Sequence, residues 1–137
     1  MDAATIEKRV LFHESLEIME VDFSGFMFKS TDDVKFVYGA IEKMLQTKQN
    51  KKWYFMVNYT QTKIQPEAWF QHALSGNLLN SEYSLGTVRI NTDEPIKEAL
   101  RRRDPDDDSY NPNAVSSTSE AADRIAEMRL NRTASVV

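Results

Sequence analysis

Residues 53–57 form an unbroken run of aromatic and aliphatic side chains, and this run is the strongest pattern in the chain. Both alternations of the run are apolar, which is typical of a strand that is covered on both faces. The chain turns polar after Tyr59, and Pro66 then suits the first turn of a helix, where its missing amide donor is not needed. The pattern predicts a central strand, a polar loop and a helix, in a sheet with helices on both faces.

The segment before this run contains two further strands and a helix. Its apolar alternation changes phase twice between residues 7 and 28, which predicts two antiparallel strands with a turn near Glu14 and a bulge near Met19. Residues 30–33 combine hydroxyl side chains with an acidic pair, as a helix N-terminus does. A buried stripe at helical spacing follows and consists of Val34, Val37, Tyr38, Ile41, Met44 and Leu45.

The segment after the helix that begins at Pro66 contains more elements of both kinds. Residues 84–90 predict a strand, Pro95 begins a short helix, and residues 110–115 predict a short edge strand. A capping box at residues 117–120 predicts a last helix. The expected fold is therefore α/β, a single domain with a mixed sheet, helices on both faces and the order β-β-α-β-α-β-α-(β)-α.

Length and composition fit one folded domain. The chain has 137 residues, so we expect one domain over residues 1–130 and a flexible C-terminal tail over residues 131–137. Its net charge of -4 disfavours binding to nucleic acid, because neutralising phosphates requires a basic face. No stretch approaches the roughly 18 apolar residues of a membrane span, and the first residues lack a signal-peptide pattern. A cytoplasmic location is therefore expected.

Residues suited to catalysis or metal binding are few. Cysteine is absent, which excludes disulfides, thiol nucleophiles and thiolate metal sites. His13 and His72 are the only histidines, and neither accompanies a nucleophile elbow or a glycine-rich phosphate loop. We therefore expect no catalytic residue, no metal and no cofactor. An enzyme that uses His72 with a neighbouring carboxylate is the weakest of the hypotheses.

The polar loop after the central strand is the candidate binding or regulatory site. Its candidate residues are Asn58, Thr60, Thr62 and Lys63. Open α/β sheets usually bind ligands at the carboxyl ends of their strands, and backbone amides at a helix N-terminus favour an anion. A phosphate on Thr60 would also be stabilised by Lys63 if the two lie close together. The alternative is that both threonines only satisfy hydrogen bonds of the loop.

Aromatic side chains concentrate around the central strand and the next helix, and most of them are expected in the core. Tyr59, Trp69 and Phe70 are the candidates for an apolar pocket or an interface. A pocket would take a small apolar or lipid-like ligand. An interface would take a protein partner or a second copy of the chain in a homodimer.

The order of the elements resembles the STAS class, the sulfate-transporter and anti-sigma-factor-antagonist domain, and its lipid-binding-like bacterial branch. The resemblance covers most of the chain and rests on the strand pair ending at residues 21–25, the helix start at 30–33, the central strand before Asn58, the strand at 85–89 and the helix start at 119–122. It implies a regulatory domain that binds a partner or senses a small ligand and does not catalyse a reaction.

The phosphoregulated members of that class carry a serine or threonine in the loop after the central strand, in an Asp-Ser/Thr context, and a kinase partner modifies it. No acidic residue directly precedes Thr60 or Thr62 here, so this chain departs from the motif, and Thr60 is the best-placed hydroxyl. The sequence thus predicts a non-enzymatic regulatory protein-interaction module of STAS-like type. A small-molecule or lipid-binding domain is the alternative.

Overall fold

The computed structural model describes residues 2–92 and 114–135. In chain order they form α1 (Ala3–Glu7), β1 (Val10–His13), a 3-10 turn (Glu14–Leu16), β2 (Ile18–Asp22), β3 (Met27–Phe28), α2 (Thr31–Gln46), β4 (Trp53–Asn58), β5 (Lys63–Ile64), α3 (Pro66–Tyr83), β6 (Ser84–Ile90), β7 (Ala114–Val115) and α4 (Thr118–Ser135). The helix predicted at Pro95 and most of the edge strand predicted at residues 110–115 lie outside the described residues.

The described strands form one main sheet and one small sheet. The main sheet has five strands in the order β1-β2-β4-β6-β7. The β1 and β2 strands are antiparallel, and every other neighbouring pair is parallel. The small sheet pairs β3 with β5 in parallel. The sequence did not predict it, because strands of two residues are too short to show a period of alternation.

Helices cover both faces of the main sheet, as predicted. Consecutive residues of a strand point to opposite faces. Phe55 and Val57 accordingly pack in the larger core with α2 and α3, while Tyr54 and Met56 belong to the smaller core. Ala121 and Ile125 of α4 contribute to that smaller core, and both are fully buried. No helix in the described residues is long and apolar enough to cross a membrane.

The first strand pair corrects one prediction. The turn lies at Glu14–Leu16, close to the predicted position. The pairing of β1 with β2 is uninterrupted and includes Phe12 opposite Met19, so the bulge predicted near Met19 is wrong. Ile18 packs in the smaller core and Met19 in the larger core. The change of phase in the sequence therefore reflects a strand that is buried on both faces.

The last helix starts where the capping box predicts. Ser117 Oγ accepts a hydrogen bond of 3.1 Å from the Glu120 amide. Glu120 Oε1 in turn accepts a hydrogen bond of 2.8 Å from the Ser116 hydroxyl. The helix continues to Ser135, so the domain boundary predicted after residue 130 falls inside it.

The helix α1 was not predicted, because five residues contain too little periodicity to distinguish a helix from a loop. The Asp2 carboxylate caps it and accepts a hydrogen bond of 2.8 Å from the Thr5 amide. Ile6 is its buried residue and joins the larger core. This helix thereby lies beside α2 on the same face of the sheet.

Candidate functional site

The candidate loop has a fixed backbone. The Thr62 amide donates to the Tyr59 carbonyl at 3.0 Å, which closes a tight turn. Two more backbone hydrogen bonds tie the loop to its neighbours, from Gly25 to the Thr60 carbonyl at 3.0 Å and from Tyr59 to the Ile90 carbonyl at 2.9 Å. The loop is thus held between the end of β6 and the segment that follows β2.

Thr60 lies at the centre of a polar cluster. Asn58 Oδ1 accepts hydrogen bonds from the Thr60 amide at 2.9 Å and from the Thr60 hydroxyl at 2.6 Å. The Asn91 side-chain amide donates to the same hydroxyl oxygen at 2.9 Å. The hydroxyl therefore acts as donor and acceptor at once. Sequence reasoning missed Asn91, although its position just after a strand parallel to β4 places it at the same edge of the sheet.

Thr62 and Lys63 have different roles from Thr60. Thr62 is 1% exposed, and its hydroxyl donates to the Phe23 carbonyl at 2.7 Å. This geometry agrees with the alternative in which the threonine satisfies a hydrogen bond of the loop. The Lys63 amide donates to the Phe26 carbonyl at 2.9 Å within the pairing of the small sheet, while the residue itself is exposed.

The three aromatic candidates lie in three different environments. Tyr59 is 3% exposed and packs in the larger core, with its ring centroid 5.8 Å from that of Phe23. Trp69 is half-buried, and its indole N–H donates to the Ile64 carbonyl at 2.9 Å. Phe70 is 80% exposed. The structure therefore does not bring these three side chains together in one pocket, and only Phe70 is largely available to a partner.

A small cavity lies between the sheet and the helices α2 and α3. Its volume is about 30 Å³, and its polar lining includes Tyr38, Tyr59, Asn80, Thr87 and Arg89. Trp69 and Phe70 do not line it. A water molecule occupies roughly 10–15 Å³ by this measure, so the cavity offers space for about two water molecules.

Both histidines are engaged in the folded chain. His72 is fully buried, with Nε2 3.1 Å from the Tyr38 hydroxyl oxygen. His13 lies on β1, with Nε2 2.8 Å from a Glu20 carboxylate oxygen. No group of three histidine, aspartate or glutamate side chains in residues 2–92 and 114–135 could hold a metal ion.

Neither protein-family models nor characterised proteins match the sequence at a significant level. The candidate site is therefore defined by the geometry of the chain. It consists of the fixed loop over residues 58–63, whose residues Gln61 and Lys63 are exposed, together with Phe70 on the helix that follows. We refer to this set as the loop surface.

Proposed function

We propose that the protein is a non-enzymatic regulatory module of STAS-like type that binds a protein partner through the loop surface. The observation that carries this proposal is Phe70, which is 80% exposed and lies in the second turn of the helix that follows a loop held by hydrogen bonds. Exposed aromatic anchors with polar groups around them are typical of protein interfaces. A loop that is already ordered also loses little entropy on binding.

The exposed side of α3 supports the same proposal. Leu74 is 43% exposed and Leu78 is 54% exposed, and both lie on the face of Phe70 because they follow it by four and eight residues. The opposite side of the helix is buried at Ala68, His72, Gly76, Leu79 and Tyr83. A helix that is apolar on both sides is usually covered on both sides.

Thr60 is the point at which regulation would act on this surface. Its hydroxyl links Asn58 to Asn91, so a phosphate on that oxygen would replace both hydrogen bonds and add negative charge at the edge of two parallel strands. We expect a negative charge at Thr60 to change the affinity of the partner while the core stays folded.

Hydrolytic or other acid–base catalysis receives less support. A general base must reach the proton that it removes from a substrate. His72 is 0% exposed, and its ring contacts the rings of Phe28, Tyr38 and Tyr59. This environment suits a histidine that serves packing.

A small-molecule or lipid-binding domain is the alternative function. Typical ligand pockets measure roughly 300–1,000 Å³. The cavity under α3 measures about 30 Å³, so a lipid-like ligand would require α3 to move away from the sheet. Native mass spectrometry tests this alternative, because a ligand that co-purifies would appear as extra mass that is lost on denaturation.

Site-specific photocrosslinking in the cells that naturally express the protein tests the proposed function. A photoreactive phenylalanine replaces Phe70 in one variant and Leu130 in the control variant. Leu130 is 70% exposed and lies on α4, which covers the opposite face of the sheet. We expect a single protein partner to crosslink at position 70 and not at position 130, and Thr60→Glu to reduce the yield. Equal crosslinking at both positions would contradict the proposal.

A further inference from the structure

Gly39 lies in the middle of α2, although nothing in the described chain requires glycine there. A Cβ atom placed at this position meets no atom of a neighbouring element within 4 Å, and the backbone does not have a positive φ. Glycine inside a helix is less stable than alanine, because it loses more backbone freedom on folding. An approach of another molecule to the helix at this point would explain why the glycine is tolerated.

Two grooves meet at Gly39 on the outer surface of the helices. The groove between α1 and α2 has a volume of about 340 Å³, and the groove between α2 and α3 has a volume of about 190 Å³. Both grooves are bordered by Gly39 and Lys35. Phe36 lies one helical turn before Gly39 and is 44% exposed. The exposed ring of Phe36 and the open space above Gly39, which we call the hole, are therefore neighbours on one helix.

One stripe on the outer surface of α2 also carries opposite charges at its two ends. Asp32, Phe36, Gly39 and Lys43 follow one another at intervals of four, three and four residues, so they form one stripe. This stripe lies opposite the buried residues Val34, Val37, Ile41 and Leu45. The acidic end lies at the helix N-terminus and the basic end lies near the C-terminus, where the helix dipole favours each charge.

The stripe is complementary to itself. When a second α2 runs antiparallel to the first, one register places Asp32 opposite Lys43 and Phe36 opposite Gly39. Both pairs are symmetric about the point midway between residues 37 and 38, so a single twofold axis satisfies all four contacts. An interface of this kind uses the same patch on both copies, as twofold homodimers do.

We propose that the occupant of this surface is a second copy of the chain. In this dimer, Phe36 of each copy covers Gly39 of the other, and Asp32 of each copy pairs with Lys43 of the other. The inference goes beyond the proposed function, because it uses α2 and leaves the loop surface free for a different partner.

Charge reversal tests the pairing by sedimentation velocity of the full chain over a range of concentrations. Asp32→Lys and Lys43→Glu each place like charges opposite one another at two symmetric points, so each should weaken dimerisation on the order of tenfold or more. The double variant should restore the dimer. The two residues are 11 positions apart, about 16 Å along one helix, so a direct contact within one chain cannot produce the rescue.

Filling the hole provides a second test that separates dimerisation from folding. Gly39→Leu should abolish the dimer while the thermal stability of the monomer is kept or raised, since a Cβ atom at position 39 meets no neighbouring element in the single chain and leucine favours a helix more than glycine does. Leu130→Glu is the control on the opposite face and should leave the dimer intact. A wild-type chain that sediments as a monomer at every concentration, or a double charge variant that dimerises no better than the single variants, would overturn the proposal.

Discussion

The hydroxyl oxygen of Tyr38 lies 3.1 Å from Nε2 of His72, and this contact joins α2 to α3 inside the larger core. The two rings meet edge to face, with their centroids 5.6 Å apart. Buried polar groups need hydrogen-bond partners, because leaving such a group unpaired costs free energy. The histidine that the sequence offers as a candidate base therefore contributes to the packing of two helices.

Removing the Tyr38 hydroxyl should destabilise the fold. Tyr38→Phe deprives a buried imidazole nitrogen of its partner, so we expect the free energy of unfolding to fall by about 1–3 kcal/mol. Urea denaturation followed by circular dichroism measures the change. Tyr54→Phe is the matched control, because the hydroxyl of Tyr54 is buried but has no hydrogen-bond partner in the described structure. The control should change stability little, and an equal loss in both variants would contradict the assigned role of the Tyr38 contact.

The Asn58 side chain should hold the loop surface in its conformation. Asn58→Ala removes the acceptor of both hydrogen bonds from Thr60, and we expect a loss of about 1–2 kcal/mol together with faster hydrogen exchange at the Thr60 amide. Asn58→Asp keeps an acceptor oxygen and should lose less. Identical exchange rates for the alanine and aspartate variants would show that the acceptor is not what orders the loop.

The long elements could be predicted because their patterns are periodic and local. The α2 helix shows a stripe of buried residues over about three turns, and β4 is apolar on both faces, so each pattern is compatible with only one type of element. The short elements carry no such signal. The α1 helix and the pairing of β3 with β5 depend on contacts with distant parts of the chain, such as Met27 with Lys63 and Phe28 with Ile64.

The polar loop lies between the central strand and the next helix, as the sequence predicts, but the roles of its residues could not be separated from the sequence. Thr60 and Thr62 are chemically identical and lie two positions apart. Thr62 is buried only because the chain brings the Phe23 carbonyl, which is 39 residues away, to within 2.7 Å of its hydroxyl. Thr60 is engaged by Asn91, which is 31 residues away. Such partners are set by the pairing of strands and have no local signature.

Two glycines should respond in opposite ways to the same substitution. Gly25 has φ of +76°, where an L side chain is strained, so Gly25→Ala should lower the free energy of unfolding by roughly 1 kcal/mol. Gly39→Ala adds a methyl group to open space on a helix and should raise it by about 0.5–1 kcal/mol. Thermal unfolding at a concentration where the chain is monomeric measures both. A loss of stability for both variants would argue against the open space above Gly39.

Glu14 should give the fold a small dependence on acidic pH. The hydrogen bond from Lys48, at 2.8 Å, and the charge of that ammonium group lower the pKa of Glu14 below its ordinary value. Because the folded pKa lies below the unfolded one, the contribution to stability is present above the unfolded value and is lost as pH falls through the folded value. Lys48→Met should therefore return the pKa of Glu14 towards 4.5, measured by NMR titration of the carboxyl group. Lys52→Met is an exposed lysine control from the same connection and should leave the titration unchanged, whereas equal shifts in both variants would contradict a specific contact with Lys48.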